Sequence, residues 1–165
     1  MKKYFAGIVY ILAISSLFAS NANVEKAPDF KVKLLSGDRI SLYELLEEGP
    51  VLLDFWATWC GPCKKAMTHQ EYFHKAYQDS GFNVLTINQD SPKSLSKVKG
   101  YIRSKNYSFK VGIDPNQQIS KIFNAVLLPT MILIDKDGTI AWRHQGFIPG
   151  DEVAIEDHIK ALIRP

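Results

Sequence analysis

The chain has 165 residues, 46% of them apolar and 22% charged, which is ordinary usage for one globular domain and excludes collagen-like, coiled-coil and disordered classes. Lys2 and Lys3 belong to a leader, and removing them from the 20 basic residues leaves 18 against 17 acidic, too small an excess for a nucleic-acid footprint. Only two cysteines occur, Cys60 and Cys63, so a disulfide-scaffolded miniprotein is excluded as well.

Lys2 and Lys3 form a positive head, and Tyr4 to Ala19 runs without a charge. About 16 residues is short for a membrane span, which wants roughly 20, and suits the apolar region of a secretory signal. Ser20-Asn21-Ala22 places small residues at a cleavage site, so the expected signal peptide is 1–22 and the expected domain 23–165. The alternative is an uncleaved membrane anchor; both put the domain outside the cytoplasm, periplasmic or secreted. No cysteine near the leader's end offers a lipid attachment point.

Phe30 to Leu34 alternates apolar and charged residues, the period of a half-buried strand. Ser36-Gly37-Asp38 is a turn, and Arg39 to Leu42 pairs back as a hairpin. Ser41 and Glu44 spell a capping box for a short helix that Gly49-Pro50 ends. Val51 to Trp56 is an apolar run broken only by Asp54 and fits a strand buried on both faces. Pro62 opens a helix predicted to reach Asp79, with Ala66, Phe73, Ala76 and Tyr77 as its buried stripe and Gly81 as its cap. Phe82 to Asn88 is a strand. Leu95, Val98 and Ile102 are the expected inner face of a further helix, followed by a strand over Phe109 to Ile113 and a short helix over Gln117 to Phe123. Thr130 to Asp135 and Ile140 to Arg143 form a hairpin, and Asp151 begins a last helix that turns Ile155, Ile159 and Leu162 inward. The alternation predicts an α/β fold with a mixed central sheet flanked by helices.

The chemistry resides in Trp59-Cys60-Gly61-Pro62-Cys63. Two thiols at C-x-x-C spacing on a helix start can close a disulfide within one turn. The unpaired N–H groups there favour a thiolate on Cys60, the attacking thiol, while Cys63, one turn in, resolves the mixed disulfide. A structural zinc site would need further ligands, and no second cysteine pair supplies them. Haem attachment would need His at position 64, where Lys64 stands.

The run Asp54-Phe55-Trp56-Ala57-Thr58-Trp59-Cys60-Gly61-Pro62-Cys63-Lys64 resembles the active site of the thioredoxin superfamily. The leader, the N-terminal hairpin, an inserted strand–helix unit around 82–105, and Leu128-Pro129-Thr130 followed by Met131 to Gly138 resemble its TlpA/ResA-like extracytoplasmic branch, over roughly residues 27 to 164. The resemblance implies a thioredoxin-like fold with a cis-proline at Pro129 facing the dithiol. Pro129 and Leu128 would then offer backbone groups to an extended client segment, beside Trp59, Gly61 and Pro62; the alternative is an ordinary trans-proline entering an edge strand. It also implies that Asp54 lies beneath Cys63 with a raised pKa and moves its proton. The other reading of Asp54 is a solvated or Lys-paired acid at a strand edge. The chain departs from many ResA-like sequences at Ala66 and Thr68, where those carry Glu and Pro.

The function expected is an extracytoplasmic thiol–disulfide oxidoreductase that reduces client proteins, since Gly61-Pro62 resembles the reducing thioredoxins. Its electrons would come from a membrane thiol–disulfide relay, with no cofactor beyond the dithiol, no metal, no nucleic acid and a monomeric state. The alternatives are a thioredoxin-fold interaction module and a peroxiredoxin-like peroxidase, whose Pro-x-x-x-Thr element is absent here. His69 and His74, five apart, do not share a helix face, and His144 and His158 have no partner legible in the sequence. Lys93, Lys97, Lys99, Arg103 and Lys105 read as a solvated face onto which an acidic partner could dock. Trp56 reads as packing, and Asn106-Tyr107-Ser108 matches a glycosylation sequon.

Overall fold

The computed structural model describes residues 24–164, so the predicted leader and its cleavage site lie outside the described residues. The elements are β1 (Lys31–Leu34), β2 (Arg39–Ser41), α1 (Leu42–Glu48), β3 (Val51–Trp56), α2 (Gly61–Tyr77), β4 (Asn83–Asn88), α3 (Leu95–Lys105), β5 (Lys110–Ile113), α4 (Gln118–Ile122), β6 (Thr130–Ile134), β7 (Ile140–Gln145) and α5 (Asp151–Leu162). They build one seven-stranded sheet in the order β2-β1-β5-β4-β3-β6-β7. β3, β4 and β5 run parallel, because helices connect them; every other neighbouring pair is antiparallel.

β3 is buried at all six positions, and so is β4 beside it. That is the environment in which a continuous apolar run beats alternation. Side chains still alternate between the faces. Leu52, Asp54 and Trp56 turn one way, and Val51, Leu53 and Phe55 the other. Leu52 and Trp56 pack with α2, α3 and α5 residues, among them Cys63, Met67, Val98, Ile102 and Ile155. The opposite face packs against α1 and α4 through Leu42, Leu45, Leu46, Ile119 and Phe123. The result is helices on both sides of a mixed sheet.

Local chemistry explains several boundaries. The Ser41 hydroxyl accepts the Glu44 N–H at 3.1 Å and the Glu44 carboxylate accepts the Ser41 N–H at 2.6 Å, so both halves of the capping box form. Capping takes Leu42 into α1 and ends β2 one residue before the predicted limit. α2 ends at Tyr77, and Gln78–Ser80 tighten into a 3-10 turn closed by Gly81 at φ +83, a left-handed conformation open to glycine.

Two core assignments are corrected. Ala76 is exposed, and the buried face of α2 runs instead through Cys63, Ala66, Met67, Gln70, Glu71 and Phe73. The true stripe includes two polar residues, which an apolar-only reading skips. Leu95 is also exposed, because it opens α3 before that helix crosses the sheet; Val98 and Ile102 are buried as expected.

Candidate active site

Cys60 caps α2. Its Sγ accepts the Cys63 N–H at 3.2 Å, and Pro62 occupies the first turn, where its missing N–H costs nothing. The two sulfurs are joined as a disulfide, with Cα atoms 5.4 Å apart. Cys60 keeps 5% exposure and Cys63 none, so an incoming group meets Cys60 first. The same N–H and the positive end of a 17-residue helix are aimed at Cys60 Sγ. Gly61 and Pro62 are exposed beside it, and Trp59 stands 70% exposed on the rim. Trp56 is fully buried 5.7 Å from the Tyr101 ring.

A network missed in the sequence holds the loop that delivers Cys60. Asp90 is buried just past β4, and its carboxylate accepts the Thr58 N–H and hydroxyl, each at 2.7 Å, and the Asn88 amide at 2.8 Å. The Gln89 N–H donates to the Trp56 carbonyl at 2.9 Å, tying the same two strand ends together. The available signal was the polar run Asn88-Gln89-Asp90 at the carboxyl end of an apolar strand, where α/β folds put their sites.

Asp54 is fully buried on the β3 face that α2 covers. Burial pushes its carboxyl well above the ordinary carboxylate range; the Gln70 amide, which approaches without reaching hydrogen-bond geometry, offsets part of this. Neither carboxyl oxygen has a partner among the described residues. The buried hydroxyl of Thr86, opposite Asp54 in the parallel register, is also unpartnered.

The Leu128–Pro129 bond is cis. Leu128 and Phe147 pack on the apolar cluster that contains Cys60 and Cys63, and the Gly146 N–H donates to the Pro129 carbonyl at 2.8 Å. Leu128 also packs against the opposite cluster, which holds Ala125, so this segment reaches both faces of the sheet. Val126, Leu127 and Ile148 stand exposed on the segments flanking Pro129 and Gly146.

Residues 24–143 match the model of the AhpC/TSA family. The chain is 31% identical over 138 residues to the thiol-disulfide oxidoreductase ResA of Bacillus thuringiensis, covering 84% of this chain and 77% of that one. It is 32% identical to the thioredoxin-like protein YneN of Bacillus subtilis, covering 93% and 95%. Among solved structures, a Chlorobium tepidum protein assigned as thiol:disulfide interchange protein DsbE superposes with a TM-score of 0.79 at 31% identity, over 86% of this chain and 97% of that one. The chain belongs to the AhpC/TSA family. Within it, the chain has the thioredoxin-like fold and resembles the ResA-type proteins.

At the two positions where the resemblance implied Glu and Pro, Ala66 is buried and the Thr68 hydroxyl lies 3.3 Å from that of Tyr107. A further buried acid, absent from the sequence reading, lies on α2. Glu71 accepts the Ser108 N–H and hydroxyl, each at 2.8 Å, and pairs with Lys75 at 2.8 Å. Burial opposes its ionisation, yet these partners win and hold its carboxyl below the usual range. It is a structural clamp, which leaves Asp54 as the uncommitted buried acid on this face among the described residues.

The histidines fall elsewhere. His69 lies against Phe147, and His74 is half-buried on α2. His144 and His158 do have partners, contrary to the sequence reading: both rings pack on Trp142, and His144 Nε2 lies 3.2 Å from the Asp151 carboxylate. Ser108 of the sequon spends its hydroxyl on Glu71, while Asn106 caps α3 in the left-handed region.

Proposed function

We propose that the protein reduces disulfides of extracytoplasmic client proteins with the Cys60/Cys63 dithiol. The chain is a thiol–disulfide oxidoreductase, an activity its ResA-type relatives carry in their names. The observation that bears the reading is Cys60 at the start of a 17-residue helix, its sulfur receiving the Cys63 N–H. The Cys60 thiolate attacks one sulfur of a client disulfide, forming a mixed disulfide and expelling the other client sulfur as thiolate. Cys63 then loses its proton to Asp54, and its thiolate attacks Cys60 Sγ. The second client thiolate leaves and takes a proton. Two electrons have passed to the client, and the protein is left in the disulfide form.

Leu128 and Pro129, with Trp59, Gly61 and Pro62, form the rim on which an extended client segment would lie. A thiol–disulfide relay in the membrane would return the oxidised pair to the dithiol. The leader, cleaved after Ala22, supports a periplasmic or secreted domain spanning 23–165, acting as a monomer. Among the described residues no helix is long and apolar enough to cross a membrane.

Insulin turbidity with dithiothreitol as donor tests the activity. Acceleration that Cys60→Ser abolishes is expected. No acceleration by the wild type would favour a non-catalytic interaction module, and thiol-dependent peroxide consumption without insulin reduction would favour a peroxidase.

A further inference from the structure

Away from the dithiol, α3 and the β1–β2 hairpin enclose a groove of about 550 Å³ that continues into a second hollow of about 180 Å³. Leu34, Leu35, Ser36 and Lys99 line both parts, so the two form one channel along the helix. The sheet extends beyond β5 to β1 and β2, while Val98 and Ile102 of α3 cluster with residues of β3, β4 and β5, which leaves the groove between α3 and the hairpin. Its floor is apolar, including Leu34, Leu35, Ile102, Phe109 and Val111. At its smaller end lie Ile113, the last residue of β5, and Leu95, the exposed first residue of α3. That is the end of the sheet from which the Cys60 loop departs.

The walls have one sign of charge. Lys33, Lys99, Arg103 and Lys110 line the groove, and no acidic side chain lines it among the described residues. Lys110 donates to the Asn83 amide oxygen at 3.1 Å, and the other three cations have exposed side chains. The two acids next to lining residues in sequence are both engaged: the Ser36 hydroxyl donates to Asp38, and buried Asp114 accepts the Gln118 and Ser120 N–H groups. The bias reaches beyond the groove: from Ser91 to Ile113 the chain carries six cations and no acid, whereas the rest of 23–165 carries 12 basic against 17 acidic residues. A chain almost neutral overall therefore concentrates its basic excess in the segment that contains α3.

We infer that this groove is a docking site for an acidic polypeptide segment of a partner protein, one that alternates carboxylates with apolar side chains. Carboxylates would meet Lys99, Arg103 and Lys33 at the walls, and apolar side chains would fill the floor. The protein's own leader is the wrong occupant by charge, since its charged side chains are Lys2 and Lys3. An anionic bilayer meets a flat or convex basic face better than a channel of side-chain width, because lipid headgroups cannot reach the recessed apolar floor. The proposal goes beyond the redox reading and does not depend on the direction of electron flow.

The test uses the oxidised protein and a short fluorescein-labelled peptide in which Glu and Asp alternate with Leu and Phe, followed by anisotropy. Saturable binding that weakens with salt is expected. The double variant Lys99→Glu/Arg103→Glu should weaken it by about tenfold or more, because like charges then face each other. Lys136→Glu, the same kind of reversal outside the groove, should leave it unchanged. Insulin reduction should persist in all three proteins, separating loss of docking from loss of the dithiol. A groove-independent outcome overturns the proposal: no saturable binding, equal binding by the double variant while its thermal unfolding is intact, or tight binding to phosphatidylglycerol–phosphatidylcholine vesicles without peptide binding. Sedimentation that shows the wild type but not the double variant dimerising would assign the groove to a second copy and also overturn it.

Discussion

Replacing Asp54 by Asn probes the buried carboxyl with little change of shape. Asp54 is fully buried without a partner, and burial raises its folded pKa well above the ordinary value. An unfolded chain ionises this group near about pH 4, the folded protein only at higher pH. Between those two points the folded state holds a proton that the unfolded state has released. Stability contributed by the neutral group is fully present below about pH 4 and is lost as pH rises towards the folded pKa, at a slope of about 1.4 kcal/mol per pH unit from this residue alone. Asp54→Asn removes that slope, because an amide does not titrate. Denaturant titrations of the oxidised proteins from about pH 4 upward should therefore show variant and wild type diverging steadily, with the variant the more stable at neutral pH. In the proposed mechanism the same change removes the proton acceptor for Cys63. General acid–base assistance is worth about 10²–10⁴-fold, and thiols ionise readily, so insulin reduction should slow at the low end of that range or less. A variant that is less stable than the wild type at neutral pH and fully active would refute the reasoning and make Asp54 a structural ion-pair partner.

Cys63→Ser should trap client proteins as mixed disulfides on non-reducing gels, and Cys60→Ser should trap none; the reverse pattern would exchange the two roles. Asp90→Ala strands the Thr58 N–H and the Asn88 amide, so it should cost about 1–3 kcal/mol in denaturant unfolding and slow insulin reduction. An unchanged rate would show that the loop before Cys60 needs no such clamp. Glu71→Gln gives up charge-assisted bonds to Ser108 and should cost about 1–2 kcal/mol near neutral pH. Because the Glu71 carboxyl is held below its usual range, its contribution is present above about pH 4.3 and is lost as pH falls, so the gap between the proteins should close in acid.

Much of the architecture could be read from local pattern. The capping box at Ser41 and Glu44, the apolar run of β3 and the C-x-x-C at a helix start each carry their physics within a few residues. What escaped depends on pairing between distant segments. Ala76 and Leu95 are apolar residues that the geometry leaves exposed, while Gln70 and Glu71 are polar residues that it buries. Asp90 acquires its role only because β4 lies beside β3 and brings it to Thr58. Likewise the basic character of α3 was visible in sequence, but the groove beside it required knowing that β1 and β2 extend the sheet past β5.

The reduction potential of the Cys60–Cys63 couple, from equilibration with defined glutathione or dithiothreitol mixtures, tests the reductive assignment most directly. The account predicts a value near the reducing end, about −270 mV, as for thioredoxin. A value near about −120 mV, the range of a strong oxidant, would contradict it and mark the protein as a donor of disulfides.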